Sequence, residues 1–115
     1  MHIVALVVRD AHALRAAYMP FIQYGGIFLR SQRCLGLGES VRLLLSLPIQ
    51  PGQICTRLLY TRVVWQTPQG AQGNRDTGVG LQFPEGKGGE EVVAQIQDIL
   101  SAETFQVPIY YTLSA

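Results

Sequence analysis

Charge is scarce in this chain. Asp, Glu, Lys and Arg make up 15% of its 115 residues, against roughly 25% in ordinary soluble domains. They balance to a formal net charge of +1, so no global attraction to nucleic acid or to an anionic membrane is expected. Cysteine is nearly absent. Cys34 and Cys55 fit buried thiols in a reducing compartment better than a disulfide framework, and their spacing is not that of zinc ligands. Histidine is as sparse: His2 and His12 fall on different expected elements, and a metal site needs converging ligands. Long hydrophobic runs are missing too. No stretch approaches the roughly 20 apolar residues of a membrane helix. The run Ile3 to Val8 is too short for the core of a signal peptide and is ended by Arg9 and Asp10. A soluble, cytoplasmic protein is expected.

The motifs of catalysis are also lacking. There is no Gly-x-Ser-x-Gly elbow, and none of the five serines stands out. Gly86-Lys87 resembles the end of a phosphate-binding loop, but the glycine five residues before Gly86 is missing and Gly88 stands where Ser or Thr should hold magnesium. The few carboxylates gather mostly on one helix (Glu90, Glu91, Asp98), where a solvated face explains them. No catalytic residue, no metal and no cofactor is expected.

What is present is apolar. At 48% hydrophobic, a chain long enough for a single domain buries roughly 65% of its unfolded surface and leaves apolar surface over, which usually marks a partner site. Ile3 to Val8 reads as a buried strand. Asp10 caps a short helix from Ala11 to Ala17, which Pro20 prevents from running further. Gly25-Gly26 permits a sharp turn before a strand from Ile27 to Leu29. Val41, Leu43, Leu45 and Leu47 then alternate with Arg42, Leu44 and Ser46, a strand with one apolar face that Pro48 stops. Leu59, Thr61, Val63 and Trp65 form one face of the next strand; Tyr60, Arg62, Val64 and Gln66 form the other. After a glycine-rich connection, Val79, Leu81 and Phe83 share one face of a short strand. The one convincing helix, Glu90 to Leu100, carries Val92, Val93, Ile96, Ile99 and Leu100 on one stripe. The expected fold is mainly β: a small antiparallel barrel of five to six strands with a C-terminal helix plugging its open end. It forms a single domain over residues 1–115, with its core at about 3–101 and a tail at 102–115.

One stretch is denser in pattern than the rest: Trp65-Gln66-Thr67-Pro68-Gln69-Gly70-Ala71-Gln72-Gly73-Asn74-Arg75, followed by Gly78-Val79-Gly80-Leu81-Gln82-Phe83. It resembles the signature of the type IV pilus PilZ proteins, where a V-V-W strand leads into P-x-G-A-Q-G-N-R and then G-I-G-V-Q-F. Ala16-Ala17-Tyr18-Met19-Pro20-Phe21 and Gly25-Gly26-Ile27-Phe28 are similar to that family's A-Y-M-P-F and G-G-L-F. Leu37-Gly38-Glu39 and Leu43 to Pro48 are similar to its L-G-D-E and L-L-L-T-L-P. The resemblance runs in order from about residue 3 to residue 101. Most of the signature is expected to build the fold: the glycines allow close backbone packing, and Asn74, the only asparagine, tolerates a left-handed turn.

Ligand-binding PilZ domains grip cyclic di-GMP with an N-terminal R-x-x-x-R and a D/N-x-S-x-x-G turn. Arginine forks pair with phosphate and stack on guanine, and each charge-assisted contact is worth roughly 1.5–3 kcal/mol. Here five residues separate Arg9 from Arg15, and Arg30 and Arg33 fall on the wrong segment. In the turn aligned on Gly26, Phe21 stands where Asp or Asn belongs and Gln23 where Ser belongs. The resemblance therefore implies a member that does not bind cyclic di-GMP directly. It implies protein partners instead: the pilus-extension ATPase, and a degenerate EAL-domain receptor of the FimX type. The alternative is a cyclic di-GMP receptor with a divergent site. Tyr18, Phe21 and Tyr24 lie where the polar grip has been lost and offer aromatic contact area. The tail Phe105 to Leu113 is more apolar than the family's, so Ile109, Tyr110 and Tyr111 are further candidates, on a strand that would dock on a partner or on the domain itself.

Overall fold

The computed structural model describes residues 2–30, 35–50, 52–67 and 77–114, with side chains through residue 102. The chain runs β1 (His2–Val7), α1 (Ala11–Ala17), β2 (Gly26–Arg30), β3 (Ser40–Gln50), β4 (Gln53–Gln66), β5 (Gly78–Gln82), α2 (Lys87–Ser114). The strands make one curled half-barrel sheet in the order β1-β3-β4-β5-β2. All neighbours pair antiparallel except β1 with β3, which are parallel. The all-antiparallel expectation is corrected there: α1 and β2 intervene between β1 and β3, so no hairpin constrains their direction.

The alternation in β3 places Val41, Leu43, Leu45 and Leu47 in the core, each no more than 1% exposed. Leu59, Val63, Val79, Leu81 and Phe83 join them. Leu14 of α1 and Val92 and Ile96 of α2 cover this concave side, with Val93, Ile99 and Leu100 packed at its margin. Thr61, the one buried polar side chain among the described residues, donates its hydroxyl to the Val41 carbonyl at 2.8 Å. Asp10 caps α1 by accepting the Ala13 N–H at 2.8 Å, as its position predicts. Arg57 of β4 donates to Gln95 (2.9 Å) and to Glu91 (3.3 Å), tying the sheet to α2.

Several boundaries differ from the sequence reading. β3 runs through Pro48 to Gln50, and β4 starts at Gln53 instead of Leu59. Val8 donates its N–H to the Ser46 carbonyl, so even-numbered positions of β3 face β1. The missing N–H of Pro48 therefore points past the end of β1 and costs no ladder bond. Trp65 does not share the face of Leu59, Thr61 and Val63. A register shift between Val63 and Trp65 turns it to the convex side, as one extra residue in a strand does. α2 begins at Lys87, three residues before Glu90, and continues to Ser114. The tail expected as a strand is thus helical, although the side chains of Ile109, Tyr110 and Tyr111 lie outside those described. Cys34, Arg33 and the connection at 68–76 also lie outside the described residues.

Candidate partner-binding site

The convex face of the sheet is built by the same alternation that fills the core. Registers place Ile3, Arg42 and Tyr60 in one row, Ala5, Leu44 and Leu58 in the next, then Val7, Ser46 and Thr56. Many of these side chains stay in solvent: Ile3 is 64% exposed, Val7 59%, Ile54 62% and Tyr60 60%. Among the described residues, much of the apolar surplus read from composition therefore lies across β1, β3 and β4, a patch distinct from the aromatic turn residues. The period-two spacing of Leu44, Leu58 and Tyr60 was the signal that could have found it.

At the other end of the face, β5 presents glycine. Gly80 and Gly78 pair with Phe28 and Arg30 of β2, and the rings of Phe28 and Trp65 meet edge-on at 6.0 Å above them. A Cβ on Gly78 would run into the Leu29 carbonyl and come within 2.6 Å of the Phe28 ring; one on Gly80 would lie 3.0 Å from the Met19 sulfur and 3.0 Å from the Trp65 Cβ. The Gly-Val-Gly of the signature is a packing requirement.

The turn from α1 into β2 carries the three candidate aromatics, and the structure separates them. Tyr18 is half-buried against the core and bridges to Ile27. Burial pushes its phenol pKa up, an effect partly offset by a hydrogen bond with Gln97 of α2. Phe21 projects into solvent, 76% exposed. Tyr24 is exposed, holds a left-handed φ of 67°, and donates its hydroxyl to Glu85 Oε1 at 3.0 Å. That bond and the nearby carboxylate charge raise its pKa. A large non-glycine residue at positive φ is uncommon and tends to mark a functional turn. Gly25, next in line at φ 80°, lets the turn settle on α2: a Cβ there would sit 2.9 Å from Val93 and 3.2 Å from Phe83.

A shallow groove of about 420 Å³ runs from this turn onto the convex face, lined by Tyr24, Arg42, Tyr60, Arg62, Gln82 and Glu85 among others. The Arg42 guanidinium lies over the Tyr60 ring, 5.5 Å from its centroid. The arginines weighed against the R-x-x-x-R pattern are scattered. Arg9 and Arg15 flank and occupy α1, where Arg15 donates to the Leu100 carbonyl at 3.3 Å, and Arg30 lies at the opposite end of β2 from Gly26. Among the described residues no cluster of three or more His, Cys, Asp or Glu could hold a metal ion, and no helix is long and apolar enough to cross a membrane.

No curated protein matches the chain. Its sequence from residue 2 to residue 102 does match the PilZ domain: the chain belongs to the PilZ domain family, whose members are binding domains with a cyclic di-GMP-related receptor or adaptor kind of function.

Proposed function

We propose that this chain is an adaptor of the type IV pilus machinery that docks other proteins, performs no catalysis and does not hold cyclic di-GMP itself. The observation that carries the reading is Phe21. It occupies the position where ligand-binding relatives need Asp or Asn, and it stands 76% exposed in the same turn as Tyr24, which lines the groove. An aromatic there offers apolar contact area to a protein and nothing to a guanine edge. The partners that the pilus-type motifs point to are the pilus-extension ATPase and an EAL-domain receptor of the FimX type. The first would read the Tyr18–Tyr24 turn; the apolar tail containing Ile109, Tyr110 and Tyr111 is a second contact candidate. Capture of purified ATPase by Phe21→Ala and Tyr24→Ala variants is the test. The reading expects capture to fall at least tenfold with unchanged melting temperature; undiminished capture by both variants contradicts it.

A second reading, a cyclic di-GMP receptor with a divergent site, draws on the groove, where Arg42 and Arg62 lie beside two tyrosines. Two features oppose it. Glu85 puts a carboxylate in the same wall, and Arg42 already rests on Tyr60. A dianionic ligand would meet repulsion from the first and would have to displace the second.

A further inference from the structure

The sheet has two edges, and the chain treats them differently. The β2 edge is partly covered: Tyr18 bridges to Ile27, and Met19 donates its N–H to the Gly26 carbonyl at 2.9 Å. The β1 edge has no such cover among the described residues. Its sequence, His-Ile-Val-Ala-Leu-Val, contains no lysine, proline or bulge, the devices by which proteins keep an edge from pairing. Val8 donates its N–H to Ser46, so even-numbered residues of β1 face β3. The N–H and C=O groups of Ile3, Ala5 and Val7 therefore point outward along the open edge. Inner-face Val4 and Leu6 are only partly buried, as expected where the core runs out at an unpaired strand.

We propose that β1 pairs antiparallel with β1 of a second copy of this chain, with Ala5 on the two-fold axis, joining two half-barrels into one ten-stranded sheet. The proposal does not rest on the adaptor reading, which concerns the turn from α1 into β2. The register follows from the strand itself. With Ala5 opposite Ala5, Ile3 lies opposite Val7 and Val4 opposite Leu6, so outward side chains meet outward ones and inward meet inward. The outward-pointing amides of Ile3, Ala5 and Val7 then form the hydrogen-bonded pairs of the new ladder. A shift by two residues, with Val4 on the axis, would preserve face matching but carry Val7 past His2, the first residue of the second copy's β1.

The neighbouring strands fit the same axis. Carrying the registers across it gives a row Leu58–Leu44–Ala5–Ala5–Leu44–Leu58, apolar throughout, flanked by rows in which Tyr60, Arg42 and Ile3 continue into Val7, Ser46 and Thr56 of the second copy. The Arg42 guanidinium stays over Tyr60 of its own chain, and no two like charges are brought opposite each other. Ile3 and Val7, each more than half exposed, become neighbours.

The experiment is crosslinking combined with mass in solution. In a Cys34→Ser, Cys55→Ser background, Ala5→Cys places two sulfurs across the axis at a Cα separation of about 5.5 Å, within disulfide reach. Leu44→Cys, one strand further in on each side, would be about 15 Å from its copy at the usual strand spacing and out of reach. Under mild oxidation Ala5→Cys is expected to link at least tenfold faster than Leu44→Cys. Light scattering should give twice the chain mass for the unmodified protein and a folded monomer for Ala5→Lys. A monomeric unmodified protein, a dimer that survives Ala5→Lys, or equal linking at the two positions would each overturn the proposal. If Ala5→Lys fails to fold, the crosslinking comparison decides alone.

Discussion

Replacing single glycines by alanine separates close packing from conformational freedom, because the three positions Gly78, Gly80 and Gly88 differ in what a methyl group would meet. At Gly78 it meets the Leu29 carbonyl, the Phe28 ring and, at 3.0 Å, the Arg30 Cα. Two of these are backbone atoms of the paired strand, so β2 and β5 must move apart. Overpacking of this kind costs about 1–3 kcal/mol, and the rigid neighbours place Gly78→Ala at about 2–3 kcal/mol. At Gly80 the nearest atoms are the thioether of Met19 and the Cβ of Trp65. Met19 can swing away, and the gain of about 0.4–1 kcal/mol from a stiffer unfolded chain offsets much of the cost, leaving about 0–1 kcal/mol. At Gly88, in the first turn of α2, nothing lies within 4 Å, and alanine should stabilise by about 0.4–1 kcal/mol. Thermal unfolding by circular dichroism reads this directly. At about 4 °C per kcal/mol for a chain of this size, Gly78→Ala should melt about 8–12 °C lower and Gly88→Ala about 2–4 °C higher, with Gly80→Ala between. A Gly78→Ala protein as stable as the original would refute the close β2–β5 approach and the structural role of the signature glycines.

Other perturbations have outcomes that follow from single observations. Leu45→Ala removes a side chain that is 0% exposed at the centre of β3 and should cost about 2–5 kcal/mol in urea unfolding. Tyr24→Asn replaces a phenol at φ 67° by a residue that tolerates the left-handed region; its melting temperature should hold or rise while partner capture falls, and a large loss of stability would show Tyr24 to be structural. Glu39 accepts from the Gly36 N–H at 2.9 Å and contacts His2 Nε2 at 2.7 Å. The backbone bond first, and the imidazole second, hold its pKa below the ordinary carboxylate value. A depressed folded pKa contributes stability above the unfolded value that is lost as pH falls through the folded one. The difference in melting temperature between the original chain and Glu39→Gln should therefore be present at neutral pH and close in acid, below the usual carboxylate range; a gap independent of pH would contradict this.

How much of this could be read from sequence depended on what each residue answers to. The core faces of β3 and β5 and the stripe of α2 were legible because burial alone selects Leu43, Leu45, Leu81 and Ile96 at fixed periods. The cap at Asp10 was legible because its bond spans three residues. Pro48 misled, since whether a strand tolerates proline depends on which neighbour its missing N–H would have met, and that is set by where β1 ends. Trp65 misled for a similar reason: one inserted residue reverses face, and nothing local announces it. Of the candidate site, Phe21 and Gln23, in place of the Asp or Asn and the Ser of ligand-binding relatives, were visible as residue type. That Tyr18 would turn half inward while Phe21 and Tyr24 stay in solvent was not, because α2, distant in sequence, supplies Gln97 and Val93 to that turn.

The proposed adaptor role requires that this PilZ domain work without holding the dinucleotide. Isothermal titration of the folded chain with cyclic di-GMP tests it most directly. No saturable heat is expected up to submillimolar ligand. A saturating isotherm in that range, abolished by Arg42→Ala or Arg62→Ala, would contradict it and make the groove beside Tyr24 a receptor site.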